Sequence, residues 1–289
     1  MSYMNYMNLQ GDLSDYSKSE IVLVPVPFDG TSTWIKGADK GPKAMLEASE
    51  KVELYDIETR SSIYKKGIHT MQPICTGNEK SEEVADIVQA TITKLIDDGK
   101  FPVMMGGEHS VSIGAFRAMA SRYKDFSILQ FDAHTDMRDI YFGSKYNHGC
   151  VLARGKEVCN HITQVGIRSM GEEELVNIDQ NRVFYSFDIN SGRLGNWIEK
   201  VIEQLTDDVY ITVDVDAMDP AYLPATGTPE PEGIRYRDIL DTIKAVAQTK
   251  HIIGFDVVEL APSEEFKASD FIVAKLIYQI LSYKYFYQH

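Results

Sequence analysis

A run of acids and imidazoles directly follows an apolar segment near the middle of the chain. Residues 126–130 form a short, mainly apolar segment, which predicts a buried β-strand. Asp132, His134 and Asp136 follow at alternate positions, and such positions share one face of an extended backbone. Carboxylates held this close together disfavour one another's charge unless a cation lies among them. The run therefore predicts a metal site, the alternative being a solvated strand end.

Two further apolar segments end in residues of the kind that bind metals. Residues 210–213 lead into Asp214 and Asp216, and residues 101–105 lead through two glycines to His109, just before a predicted helix. In an open parallel sheet, ligands bind outside the carboxyl ends of the strands, so these three strand ends can meet. The predicted metal ligands are His109, Asp132, His134, Asp136, Asp214 and Asp216. The alternative is a set of unrelated polar loops.

This set of donors contains four carboxylates and two imidazoles, which exceeds what one four-coordinate zinc ion needs. Two metal ions fit it better. The mixture favours Mn²⁺ over Mg²⁺, while Zn²⁺, Fe²⁺, Co²⁺ and Ni²⁺ stay compatible with the ligand types. Two ions roughly 3.5–4 Å apart would lower the pKa of a shared water from about 15.7 towards about 7. The sequence thus predicts two Mn²⁺ ions per subunit and a hydroxide nucleophile at neutral pH.

Six segments of the chain resemble the ureohydrolases of the arginase and agmatinase superfamily, most closely the agmatinases. They occur in that family's order at residues 106–110, 132–136, 147–149, 214–220, 227–231 and 256–259. The resemblance implies an arginase-like, three-layer α/β/α fold with a mainly parallel β-sheet. It also implies a binuclear Mn²⁺ hydrolase that splits a guanidinium group into urea and an amine.

The resemblance also implies roles for two residues outside the metal ligands. His148 is expected to protonate the departing amine, and its alternative role is to cap the next helix. Glu259 is expected to hold the planar guanidinium through paired hydrogen bonds, and its alternative is an exposed loop acid. Asp136 is expected both to bind one ion and to hydrogen-bond the nucleophile.

The choice of substrate turns on Arg138. Arginases carry an asparagine two residues after the last acid of the first run, where this chain has Arg138. The resemblance therefore favours agmatine, hydrolysed to putrescine and urea, with aminopropylagmatine and arginine as alternatives. Because Arg138 could pair with a carboxylate tail, guanidinobutyrate and formimidoylglutamate also stay open.

Two hypotheses from other classes compete with this one. A catalytically silent scaffold would lack a metal ligand or the proton shuttle, and none is missing. A zinc deacetylase of the related three-layer fold usually relies on one zinc ion and a tyrosine, which the six-ligand set disfavours.

Composition limits the partners and the compartment. A net charge of −14 and a pI near 4.9 argue against nucleic acid or anionic membranes and are compatible with a small cationic guanidino substrate. The three cysteines, Cys75, Cys150 and Cys159, lack metal-type spacing, and no signal peptide or membrane span is apparent. A cytoplasmic enzyme is therefore expected, and the family commonly forms homotrimers or homohexamers.

No linker interrupts the predicted ligands, so residues 1–289 are expected to form a single ureohydrolase domain. Further strands are predicted over residues 20–28, 161–166, 182–187 and 251–258, and helices over 44–49, 81–98, 110–123, 171–177, 195–205, 234–248 and 269–289. Ser81 is expected to cap its helix. Residues 51–78 lack a clear period; an irregular excursion near the active-site rim is one interpretation, and their structure stays open.

Three details complete these expectations. The proline-rich segment 221–231 is expected to lie over the crevice, with Asp219 in a turn or behind the ligands. Glu232 stands where relatives often have glycine, which leaves the shape of this loop open. The remaining candidate histidines, His69, His161 and His251, lie away from the strand ends and are expected to be structural or solvated.

Overall fold

The computed structural model describes residues 4–288. Within them, eight strands form one sheet in which all neighbouring strands run parallel. The strands are β1 (Ile21–Val26), β2 (Ile68–Thr70), β3 (Phe101–Gly106), β4 (Phe126–Phe131), β5 (His161–Ile167), β6 (Val183–Tyr185), β7 (Asp208–Asp214) and β8 (His251–Val258). Their order across the sheet is β2-β1-β3-β8-β7-β4-β5-β6.

Helices cover both faces of this sheet. They are α1 (Gly41–Ser49), α2 (Ser81–Asp97), α3 (Ser112–Ala120), α4 (Val151–Lys156), α5 (Ser186–Asn190), α6 (Trp197–Glu203), α7 (Tyr236–Thr249) and α8 (Lys267–Tyr287). Buried side chains of α1, α6, α7 and α8 form one apolar cluster, and those of α2, α3 and α4 form a second. The predicted three-layer α/β/α fold is therefore confirmed.

Strand β1 shows why the central strands look continuously apolar in the sequence. Leu23 belongs to the cluster under α1 and α8, whereas Val22 and Val24 belong to the cluster under α2 and α3. Successive side chains of a strand point to opposite faces, so a strand covered on both faces needs apolar residues throughout. This pattern places the polar chemistry of the chain at the strand ends.

The order of the sheet brings the predicted site together. Strands β3, β8, β7 and β4 are neighbours, and the residues that follow them include His109, Glu259, Asp216 and Asp132. Because the strands are parallel, their carboxyl ends meet at one edge of the sheet. The four segments are distant in the sequence and adjacent in space.

Residues 51–78, which the sequence left open, contain β2 at the sheet edge, and none of them lines the cavity described below. One local prediction in the next helix is wrong. Ser81 does not cap α2, since the helix begins after Lys80, whose backbone N–H donates to the Glu83 carboxylate at 2.8 Å.

The segment around β6 also differs from its prediction. Residues 171–177 form only a short 3-10 turn, Glu172–Val176, instead of a helix. The strand predicted over residues 182–187 covers only Val183–Tyr185, and α5 begins at the next residue, Ser186. None of the helices in residues 4–288 has the length and apolar character needed to span a bilayer.

Candidate metal centre

The first cluster of ligand-type side chains surrounds His109. This residue lies in a 3-10 turn directly after β3 and is 1% exposed. Its Nδ1 atom lies 3.1 Å from Asp132 Oδ2, 3.1 Å from Asp136 Oδ2 and 3.4 Å from Asp214 Oδ2. One donor atom from each of His109, Asp132 and Asp214 lies within 4.8 Å of the others, a spacing that suits a shared metal ion.

The second cluster surrounds His134. Its Nδ1 atom lies 3.0 Å from Asp216 Oδ2 and 3.5 Å from Asp132 Oδ1. Donor atoms of Asp132, His134 and Asp216 also lie within 4.8 Å of one another. Asp132 thus offers one carboxylate oxygen to each cluster, which is the arrangement that a bridging ligand requires.

The hydrogen bonds around His109 test whether this site suits a cation. His109 Nε2 lies 2.9 Å from Thr212 Oγ1, and the Thr212 hydroxyl donates to Asp256 at 2.6 Å. The hydroxyl proton is thereby used, so His109 donates from Nε2, and in the neutral imidazole, which is the form that binds a metal, Nδ1 carries a lone pair. This buried Nδ1 makes no hydrogen bond within residues 4–288. A lone pair aimed at three carboxylates is repulsive unless a proton or a metal ion lies between them, and although burial opposes it, Asp132, Asp136 and Asp214 raise the His109 pKa well above its usual range.

The charges of the site point the same way. Burial opposes ionisation of Asp132, but His109 and His134 outweigh it and lower the Asp132 pKa below its usual range. Burial, followed by the charge of Asp132, raises the Asp136 pKa to about 7. Burial, followed by the charge of Asp216, raises the Asp214 pKa well above its usual range. The protein alone therefore cannot hold all these acids charged, whereas divalent cations would compensate them.

Backbone conformation places two of the acids. Asp136 has φ +51° and Glu259 has φ +66°, in the left-handed region that non-glycine residues seldom adopt. The Asp136 carbonyl accepts from the Leu152 N–H at 3.0 Å, and the Glu259 N–H donates to the Gly107 carbonyl at 2.8 Å. Strain at these positions is thus held by bonds to neighbouring elements.

The geometry predicted for the two acidic runs is wrong beyond the strand ends. β4 ends at Phe131, and Asp136 reaches His109 through its left-handed turn instead of an extended strand. β7 ends at Asp214, and Asp216 lies in a 3-10 turn whose N–H donates to Asp214 at 2.9 Å. The side chains of both runs do lie close together, but strand alternation does not explain how they meet.

A cavity of about 200 Å³ opens above the clusters. Its lining includes Glu259, His148 and Tyr141, together with Thr228 from the loop that was expected to lie over the crevice. Glu259 is 6% exposed, and its Oε1 accepts from the His109 N–H at 2.7 Å. It is therefore a buried carboxylate at the cavity wall and not an exposed loop acid.

His148 also reaches this cavity. Its buried Nε2 has no hydrogen-bond partner within the described part of the chain. Burial, with smaller contributions from the charges of His134 and His109, lowers the His148 pKa to about 4. The neighbouring Asn147, not His148, caps the following turn by accepting from the Gly149 N–H. A neutral imidazole with a free nitrogen is thus available to a ligand.

The sequence did not reveal the residues that hold His148. The Thr31 hydroxyl oxygen accepts from the His148 N–H at 2.9 Å, and Thr31 in turn donates to the Glu108 carboxylate at 2.7 Å. Glu108 is fully buried and also accepts from the Ser32 N–H and the Ser110 hydroxyl. Glu108, an acid within the 106–110 segment, was the one sequence signal for this network. Its contact with Thr31 could not be predicted, because the two residues are 77 positions apart.

The remaining histidines lie away from the clusters, as expected. His69 bonds the Ser14 carbonyl, His161 lies near Asp125, and His251 bonds Asp208. Asp219 lies in a turn, as expected, because its carboxylate accepts from the Ala221 N–H two positions on; it also accepts from the Gly233 N–H at the far end of the proline-rich loop.

Glu232 forms a left-handed turn at the end of the proline-rich loop. It adopts φ +62°, a left-handed conformation that glycine would adopt with less strain. Its carbonyl accepts from the Asn190 side chain at 3.2 Å. The turn is thus kept although the residue is not glycine.

Comparisons with known proteins agree with this geometry. The model of the arginase family matches residues 19–282. N(1)-aminopropylagmatine ureohydrolase from Synechocystis sp. is 36% identical over 94% of this chain and 91% of that protein. Agmatinase from Bacillus anthracis is 34% identical over 86% of this chain and 85% of that protein. The crystal structure of agmatine ureohydrolase of Thermoplasma volcanium superposes with a TM-score of 0.89 at 33% identity, covering 99% of this chain and 96% of that one.

Proposed function

Because this chain belongs to the arginase family and is a hydrolase of guanidino C–N bonds, we propose that it releases urea from an agmatine-type substrate. Such a substrate carries a guanidinium group and, at the far end of an alkyl chain, a second cation. With agmatine itself the products are urea and putrescine. The proposed cofactors are two Mn²⁺ ions per subunit.

The observation that carries the choice of substrate is the pairing of Arg138. Its Nε donates to Glu173 at 2.9 Å, and its terminal nitrogen lies 3.1 Å from Glu174. The guanidinium also lies over the Tyr141 ring at 4.5 Å. A substrate carboxylate would have to displace these partners, which disfavours arginine, guanidinobutyrate and formimidoylglutamate.

Two acids beside the cavity bear on the substrate's second cation. Glu173 is 64% exposed and pairs with Arg138, so their charges offset each other. Glu230 is 37% exposed and lies 3.8 Å from His134, which lines the cavity. A negative charge there attracts a cationic substrate over distances up to the Debye length, about 8 Å at physiological salt. Glu230 and the occupied Arg138 thus favour the same class of substrate.

The residues of the two clusters would hold the metal ions. His109, Asp132, Asp136 and Asp214 would hold one ion, and Asp132, His134 and Asp216 the other. When bound, the ions supply Lewis acidity and lower the pKa of water, which provides a nucleophile at neutral pH.

Two residues act on the substrate itself. Glu259 binds the guanidinium by charge-assisted hydrogen bonds and orients its carbon towards the clusters. His148 is neutral before the reaction, so its Nε2 can take up a proton released by the attacking water. It then passes that proton to the departing amine, which cannot leave as an anion. Thr31 and Glu108 hold His148 in place through its backbone N–H.

Replacing His148 with Asn should lower kcat by about 100-fold, since general acid–base catalysis contributes at least that factor. The two metal ions should stay bound, because His148 belongs to neither cluster. The rate of urea release measures kcat, and elemental analysis of the purified variant measures its metal content. His161→Asn, which alters a histidine at the far end of the sheet, is the control. Unchanged turnover in His148→Asn would remove the assigned role.

The substrate can be identified by comparing kcat/KM for each candidate compound, measured separately. Urea release should be measured with Mn²⁺ for agmatine, aminopropylagmatine, arginine and guanidinobutyrate, and formamide release for formimidoylglutamate. We expect kcat/KM to be at least about 100-fold higher for a cationic substrate than for the three that carry carboxylates. A preference for guanidinobutyrate or formimidoylglutamate would overturn the proposal.

Aminopropylagmatine is the second candidate, and a specific observation favours it. Besides the Synechocystis protein, relatives of that name from Thermus thermophilus and Thermococcus kodakarensis are 33% and 31% identical to this chain. The ratio of kcat/KM for aminopropylagmatine to that for agmatine decides between the two. A cytoplasmic homotrimer or homohexamer with one domain, which binds neither nucleic acid nor membranes, stays part of the proposal.

A further inference from the structure

A second and larger cavity lies at the opposite ends of the strands. Its volume is about 410 Å³, within the roughly 300–1,000 Å³ typical of small-molecule sites. Its walls include Phe101 at the start of β3, residues 251–253 at the start of β8, and the last part of α8. It therefore lies at the amino ends of the same strands whose carboxyl ends carry the metal ligands, and it shares no lining residue with the catalytic cavity. We call it the amino-end cleft.

Three lysines line the amino-end cleft although the chain has a net charge of −14. Lys66 pairs with Glu20 at 3.1 Å, and Lys100 donates to the Ser19 carbonyl at 2.8 Å. The third, Lys284, is discussed below. Glu20 is the one carboxylate among the described lining residues, so the cleft carries an excess of positive charge.

Lys284 is the group that most requires a partner. It is 8% exposed, and its ammonium donates to the Gln288 side-chain oxygen at 2.7 Å. That oxygen is shared with the Ile252 N–H, and no carboxylate of residues 4–288 lies within 4 Å of the Lys284 nitrogen. Burial lowers the Lys284 pKa to about 8, and the more distant Asp208 offsets this only in part. A buried ammonium without a counter-ion is costly, and a bound anion would reduce this cost.

Aromatic rings form the floor between the lysines. The rings of Phe101 and Tyr285 meet edge to face at 5.9 Å. Lys284 Nζ lies 5.4 Å from the Phe101 centroid, and Lys66 Nζ lies 5.6 Å from the Tyr285 centroid. Cations around an aromatic surface fit a ligand that joins an anionic group to a flat apolar group.

We propose that the amino-end cleft is a second binding site, which takes a small organic anion with a phosphate or carboxylate group and a planar apolar part. Lys284 and Lys100 pair with the anionic group, while Phe101 and Tyr285 contact the ring. Because the two cavities share no lining residue, the anion and the substrate do not compete for the same space. The proposal does not depend on which guanidino compound is hydrolysed.

Isothermal titration at constant ionic strength tests this site, with phenyl phosphate, benzoate and inorganic phosphate as probes and benzyl alcohol as the uncharged control. We expect phenyl phosphate or benzoate to bind more tightly than inorganic phosphate, and benzyl alcohol not to bind. The better of the two ring-bearing anions identifies the anionic group. Absence of binding by both would overturn the proposal.

Variants assign the binding to the cleft. Lys284→Met should weaken binding of the better probe by about tenfold or more, since a hydrogen bond to a charged group accounts for at least that factor. Lys65→Met, which removes an exposed lysine outside the cleft, should bind as the unaltered protein does. Equal binding by Lys284→Met and Lys65→Met would refute the assignment. Melting curves show whether Lys284→Met is folded, and if it is not, Lys100→Met replaces it with the same expectation.

Discussion

Replacing Asp132 with Asn should remove the bound metal and lower kcat/KM by about 10³-fold or more. Asp132 is the residue common to both clusters, with one carboxylate oxygen near His109 and the other near His134. An amide keeps the size of the side chain but loses the charge and one acceptor oxygen. Both metal positions are therefore damaged by a single substitution.

Elemental analysis of purified protein, together with urea release, measures this prediction. Asp125→Asn is the matched control, because Asp125 is 73% exposed and lies by His161, away from the clusters. A melting curve shows that the variant is folded. An Asp132→Asn protein that kept two ions per chain and normal turnover would contradict the assignment of Asp132 as a bridging ligand.

Replacing Glu259 with Gln should lower kcat/KM by about 10³-fold while the metal content stays unchanged. Two charge-assisted hydrogen bonds to the guanidinium, each stabilising by roughly 1.5–3 kcal/mol, account for this factor. The neutral amide still offers an oxygen to the His109 N–H, so the turn that carries His109 should persist. The loss should appear in substrate binding as well as in turnover, since orientation of the guanidinium depends on the same bonds.

The outcome separates two functions of Glu259. If the metal content falls with activity, Glu259 acts chiefly by fixing His109, and the role in binding substrate is wrong. Glu264→Gln, which changes an exposed glutamate a few residues along the chain, is the control and should be fully active. Inhibition by guanidinium chloride at low concentration gives a further readout, because the unaltered protein should bind this ion more tightly than Glu259→Gln.

Much of the site could be predicted because its residues follow apolar strands. Each of His109, Asp132 and Asp214 comes within three residues of the end of a buried strand. A parallel sheet gathers such ends at one edge, so the composition of the segments was enough to predict that they meet. The order of the strands determines which strand ends are adjacent, and this order cannot be predicted from the sequence of any single segment.

The parts that were missed depend on conformations and contacts that a linear pattern does not encode. Asp136 and Glu259 adopt left-handed backbone angles that are uncommon for residues other than glycine, and tertiary hydrogen bonds hold them there. Thr31 reaches His148 across 117 positions, and no periodicity connects the two. Strand β2 has three residues, too few for an alternating pattern to be recognised.

The position of β8 has a consequence for biosynthesis. It is the last strand in the chain, yet it lies between β3 and β7 and alone joins β2-β1-β3 to β7-β4-β5-β6. While residues 251–259 are still inside the ribosome, no strand joins β3, which precedes His109, to β7 and β4, which precede Asp214 and Asp132. The first cluster is therefore expected to form only after β8 has joined the sheet, whereas the residues of the second cluster, Asp132, His134 and Asp216, all follow β4 and β7.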